Sequence, residues 1–108
     1  MRTPTRKSYG PSGTRRYLVH LCSALEEATG RCRYLMRIQP WTPRGSAHSV
    51  RAQERLFEDE DEVVQAVNPL LPTGSDVRNV FSHIESPEGF LYLLQLNPEQ
   101  AWTLGWRE

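Results

Sequence analysis

Residues 31–39 (RCRYLMRIQ) alternate with period two. Cys32, Tyr34, Met36 and Ile38 point one way; Arg31, Arg33, Leu35 and Arg37 point the other. Successive strand side chains leave on opposite sides, so this segment reads as a strand with one face in a core. Its other face carries an arginine row, with a spacing of about 7 Å for residues two apart. A strand of this kind needs partner strands and a layer to cover its apolar side.

Phe90–Leu96 (FLYLLQL) reads as a second strand. It is apolar on both faces save Gln95, which predicts a central position covered on both sides. Val77–Glu85 (VRNVFSHIE) is the expected hairpin partner, joined to it through SPEG. Residues 50–57 supply a further strand.

Helices are expected at three places. In residues 15–29, Leu18, Leu21, Cys22 and Leu25 fall at i, i+3, i+4 and i+7, with Thr14 as N-cap and Gly30 as the residue that ends the helix. RYLVHLCSAL also reads as a strand turning through EEATG, and Arg15 and Arg16 sit unfavourably at the positive end of a helix dipole. The helix is the expectation carried forward. The acidic run Glu58–Glu62 precedes Val63, Val64, Ala66 and Val67, and Asn68-Pro69 ends that helix. Asn97 caps a third, with Pro98 at its first position, Gln100 completing a capping box, and a stop near Gly105.

These elements predict an α+β fold: a small antiparallel sheet of about four strands with two to three helices packed on one side. The chain of 108 residues has room for one domain, residues 15–108, preceded by a flexible basic arm at residues 1–14. No apolar run occupies the first sixteen residues, and no segment approaches the roughly 20 apolar residues that span a bilayer. A cytoplasmic protein with no membrane contact is expected, with Cys22 and Cys32 both reduced.

Charge is split along the chain. Residues 1–53 hold ten basic and two acidic residues; residues 54–108 hold three basic and eleven acidic. The whole chain is neutral. A basic front half can hold polyanions or an acidic protein surface, including its own rear half.

No motif brings catalysis with it. The serines (Ser23, Ser46, Ser49, Ser82) lie in no nucleophile elbow, and the single glycines form no phosphate-cradling loop. His48 and His83 are possible bases, as any domain offers. His20, Cys22, Cys32 and His48 include soft metal ligands, but lack the paired close spacing of zinc sites. On a helix His20 and Cys22 would point apart; on a strand they would share a face. No metal and no cofactor are expected, and no enzyme.

What remains is binding. The candidate contact residues are Arg15, Arg16, Arg31, Arg33, Arg37 and Trp41 on the basic side. On the acidic side they are Glu58, Asp59, Glu60 and Asp61. Trp102 and Trp106, four apart, would face together on the last helix, as core or as an interface anchor. The profile resembles that of small adaptor or inhibitor proteins, including those of phages and mobile elements, that occupy a protein partner without turnover. Charge-driven homodimerisation is a natural addition. The alternative partner is nucleic acid, with the arginines on phosphates and Tyr9, Tyr34 and Trp41 on bases.

Overall fold

The computed structural model describes residues 13–41 and 52–107. Residues 1–12 of the arm expected at 1–14, and residues 42–51 with His48 among them, lie outside the described residues. Four strands form one antiparallel sheet: β1 (Arg15–Glu26), β2 (Arg31–Pro40), β3 (Gln53–Phe57) and β4 (Phe90–Leu96), in the order β3-β2-β1-β4. Helices α1 (Glu60–Val67), α2 (Phe81–Ile84) and α3 (Pro98–Thr103) join them, with 3₁₀ turns at Asn68–Leu70 and Val77–Val80. This is the α+β architecture expected, assembled partly from other segments.

The first expected helix is a strand. Tyr17, Val19 and Leu21 are fully buried and alternate with Leu18, His20 and Cys22. Apolar residues at both parities produced a helical stripe by coincidence. The same EEATG that read as a helix end closes the β1–β2 hairpin. Gly30 N–H donates to Glu26 O at 2.8 Å, and Gly30 has φ +71°. An i to i+4 bond closed by a left-handed glycine serves either element.

The expected strand at Val77–Glu85 is a 3₁₀ turn followed by one helical turn. Val77, Val80, Phe81 and Ile84 lie at i, i+3, i+4 and i+7, and all but half-buried Val80 are buried. Asp76 caps the turn by accepting from Arg78 N–H at 3.0 Å. Asn68 ties the preceding loop in, donating to Asp76 at 2.9 Å and accepting from Val77 N–H at 2.7 Å. There is accordingly no hairpin between 77–85 and β4. Among the described residues β4 pairs with β1 alone, so it lies at the edge of the sheet and not at its centre.

Other local signals hold. Asp59 caps α1 by accepting from Glu62 N–H at 3.0 Å, and Glu62 accepts in return from Glu58 N–H. α1 ends at Val67, before Asn68-Pro69. Asn97 and Gln100 form the reciprocal capping box of α3, with Pro98 in its first turn. Trp102 and Trp106 do not share a face, because α3 stops at Thr103. Gly105, at φ +107°, turns the chain so that Trp106 enters the core while Trp102 stays 60% exposed.

All three helices cover one face of the sheet. Tyr17, Val19, Leu21, Tyr34, Met36, Ile38, Phe57, Leu94 and Leu96 form the sheet side of the core. Val63, Val67, Val77, Phe81, Ile84, Leu104 and Trp106 are among the side chains that close it. Tyr17 meets Trp106 and Tyr34 meets Phe81 edge to face, with centroids 5.9 and 5.3 Å apart. Each such fully buried apolar side chain contributes about 1.5–3 kcal/mol. The opposite face of the sheet has no helix over it among the described residues.

Candidate functional site

The uncovered face follows from strand parity. β1 sends Leu18, His20 and Cys22 to it, β2 sends Leu35, Arg37 and Gln39, β3 sends Glu54 and Leu56, and β4 sends Leu91 and Leu93. The register sets these in rows. Glu54, Arg37, His20 and Leu91 lie side by side; Gln39, Leu18 and Leu93 form the next row, and Leu56, Leu35 and Cys22 the row on the other side. Leu91, Leu93 and Leu56 are 56%, 48% and 46% exposed. Leu18 and Leu35 are half-buried between them. A hollow of about 120 Å³ opens on this face between Leu18, His20, Arg37, Gln39 and Ala52.

Two polar groups of the face, Arg37 and His20, are engaged. Arg37 Nε donates to Glu54 Oε2 at 2.7 Å. His20 Nε2 lies 2.9 Å from Glu88 O, and because a carbonyl only accepts, that nitrogen carries the proton. Gly89 makes this contact possible. A Cβ there would stand 2.5 Å from Leu21 O and 2.6 Å from His20 Nε2, and its φ is +74°.

The arginine row is neutralised within the chain. Arg31 meets Glu58 at 3.0 Å, and Arg33 meets Glu58 at 3.5 Å and Glu26 at 3.9 Å. Charges separated along the sequence are thus neighbours in space, because β3 and the start of α1 lie beside β2. Of the acidic run, Glu58 is an ion-pair partner, Asp59 a cap and Glu62 a back-bonding residue; Glu60 and Asp61 stand exposed at the start of α1. Arg15 stacks over Tyr17 and Arg16 over Trp41, each with its guanidinium carbon 5.7 Å from the ring centroid. Arg107 covers the exposed Trp102 at 4.6 Å. The residues expected to form one contact surface are therefore dispersed: Arg16 and Trp41 at one end of the sheet, Arg37 in the middle of the open face, Arg31, Arg33 and Glu58 toward the hairpin end, Trp102 on α3 and Trp106 in the core.

The chain matches no family model, no curated protein and no solved structure.

His20 and Cys22 do share a face, as the strand requires. Cys32 pairs in register with Leu25, three rows from the Cys22–Leu35 pair and on the opposite face. Three rows are about 10 Å, beyond the reach of a disulfide. Both thiols are free. Among the described residues no three of His, Cys, Asp and Glu are grouped to hold a metal ion. No described helix is long and apolar enough to cross a membrane.

Sequence reasoning missed Leu18, Leu35, Leu56, Leu91 and Leu93. The signal was present: β1 and β4 are apolar at both parities, while three helices of eight, four and six residues can cover only one face.

Proposed function

We propose that this chain is a small non-enzymatic binding protein that docks a protein partner on the open face of its sheet. The observation that carries this reading is the set of half-exposed leucines on a face with no helix over it among the described residues: Leu91 and Leu93 beside Leu18, and Leu56 beside Leu35 across the Glu54–Arg37–His20 row. Exposed apolar groups gathered in one patch and rimmed by polar ones mark interaction surfaces. At the centre of the face the charges cancel in the Arg37–Glu54 pair, and Arg31 and Arg33, further along the same face, meet Glu58. The partner it fits is a folded protein surface with an apolar centre and little net charge at the contact.

An adaptor or inhibitor of cytoplasmic proteins fits this reading. Nucleic-acid binding has less support, because Arg31, Arg33 and Arg37 already hold carboxylates that phosphate would have to displace.

The test compares wild type with Leu56→Lys and Leu35→Lys as bait in lysate of the native cells, with Gln65→Lys on exposed α1 surface as control. Support is a protein held by wild type and Gln65→Lys, lost by both leucine variants, and bound directly when purified. A captured set indifferent to Leu35 and Leu56, or binding to DNA or RNA at low salt that survives these substitutions, overturns it.

A further inference from the structure

The two edges of the sheet are treated differently. The β3 edge is five residues long and carries Glu54 and Arg55. It is tied to the C-terminal segment: Arg107 N–H donates to Gln53 Oε1 at 2.8 Å, and Arg55 Nη1 donates to Thr103 O at 2.9 Å. Short, charged and strapped edges are how natural sheets avoid unwanted pairing.

β4 has none of these protections. Its seven residues, Phe90–Leu96, include no charge, no proline and no glycine. Its inner neighbour is β1, so its outer backbone groups have no strand beside them among the described residues. A groove of about 540 Å³ runs along this side, with Leu70, Leu71, Pro72 and Ser75 on one wall and Tyr92–Gln95 on the other. No residue lining that groove is charged, in a chain of which 24% is charged.

We infer that β4 is a strand-pairing edge, and that its occupant is β4 of a second copy of this chain. Two sheets would join across a two-fold axis into one of eight strands. Three features select a second copy over another partner. An uncharged ladder and an uncharged groove can meet themselves without placing like charges together, whereas the β3 edge would set its own charges against their symmetry mates. The whole chain is neutral, so nothing repels the copies at long range. The strand is also self-complementary. A two-fold axis perpendicular to the sheet keeps both open faces on one side, and antiparallel pairing centred on Tyr92 sets Leu91 of each copy opposite Leu93 of the other. The two most exposed leucines of β4 thereby become one four-leucine cluster. On the inner side, alternate side chains of the incoming strand enter the groove beside Leu70 and Leu71, as in strand addition generally.

This inference shares Leu91 and Leu93 with the open-face reading but does not rest on it, since it concerns the edge of the sheet. Its test is sedimentation equilibrium from about 1 to 200 μM in low and high salt, together with hydrogen exchange of residues 90–96 at both ends of that range. The expected mass rises toward twice 12.5 kDa, insensitive to salt, and β4 amides exchange more slowly at the high concentration. Leu93→Lys and, separately, Leu91→Lys are expected to weaken the dimer about tenfold or more. Leu56→Lys, on the same face at the far edge, leaves it unchanged. Circular dichroism and a urea midpoint establish that each variant is folded. A monomer throughout, or a dimer whose β4 exchange does not change with concentration, overturns the inference. So does a dimer broken by Leu56→Lys but not by the β4 variants, which would be face-to-face packing. The open-face reading fails on loss of Leu56-dependent capture instead, so the two failures are distinguishable.

Discussion

Arg37 on β2 and Glu54 on β3 are register partners, and the guanidinium Nε donates to the carboxylate across the strands at 2.7 Å. The strongly basic front half and the acidic rear half meet here and again at Arg31, Arg33 and Glu58. Both side chains of the Arg37–Glu54 pair are about half exposed, so the pair is worth only about 0.2–1 kcal/mol in stability. Its larger consequence is to keep a guanidinium away from other anions.

That consequence is measurable. Replacing both carboxylates (Glu54→Gln with Glu58→Gln) leaves Arg31, Arg33 and Arg37 without these partners. The double variant is expected to bind a fluorescent oligonucleotide at low salt at least about threefold more tightly than wild type, with a steeper salt dependence, read by anisotropy. Equal binding by both proteins would show that the pairs do not mask the row.

What the sequence revealed depended on how local the determining contacts are. The α3 cap was fully legible because Asn97, Pro98 and Gln100 carry all of it within four residues. β2 was legible because Tyr34, Met36 and Ile38 alternate with polar neighbours, although Leu35 broke the pattern. β1 was misread because Leu18 and Cys22 are apolar on its open face as well. β4 was read as central for the same reason: apolar side chains on both faces imply two covering layers unless one face is left bare. The stripe of Val77, Val80, Phe81 and Ile84 was present in the sequence, but VRNVFSHIE followed by SPEG and the apolar FLYLLQL suggested a hairpin. Internal pairing of the charges stood only as one possibility among several, because strand order decides which arginine meets which carboxylate.

Gly89 is expected to tolerate no side chain. It has φ +74°, and a Cβ would press on the backbone oxygen of Leu21, which sits in the ladder and cannot swing aside. Gly89→Ala is expected to lower stability by about 1–3 kcal/mol, measured as a shift of the urea midpoint. Gly74→Ala is the control: it shares positive φ but meets nothing within 4 Å, so it isolates backbone strain from the clash. Equal losses at the two positions would remove the steric argument.

The two C-terminal tryptophans are expected to differ sharply. Trp106 is 8% exposed and packs edge to face on Tyr17, so Trp106→Ala should cost about 3–5 kcal/mol. Trp102 lies outside the core under Arg107, and Trp102→Ala should change stability by no more than about 0.5–1 kcal/mol. Urea titrations of the two variants decide it; similar losses would mean that α3 and the residues after it are not arranged as described.

Asp76 predicts an acid limb. Its carboxyl is held below the usual aspartate range, first by the Arg78 backbone N–H and then by the Asn68 amide. A depressed folded-state value means the stabilisation is present above about pH 4, the unfolded range, and is lost as pH falls through the lower folded value. Asp76→Asn should be less stable than wild type at neutral pH and converge with it in strong acid. A constant difference across that range in thermal melts would contradict the assignment.

Tyr34 predicts the opposite limb. Burial pushes its phenol above the ordinary value, and the hydrogen bond to Glu85 Oε2 at 2.9 Å adds to this, since ionisation would set two anions together. A raised folded-state value leaves the stabilisation fully present below about pH 10, where the unfolded phenol is also neutral. Above that, the unfolded chain ionises first, and stability falls as pH rises toward the folded value. Tyr34→Phe should cost about 1 kcal/mol at neutral pH for the lost hydrogen bond and then decline less steeply above about pH 10. Urea midpoints between about pH 8 and 11 read both effects, and parallel curves for the two proteins would show that Tyr34 does not control the alkaline limb.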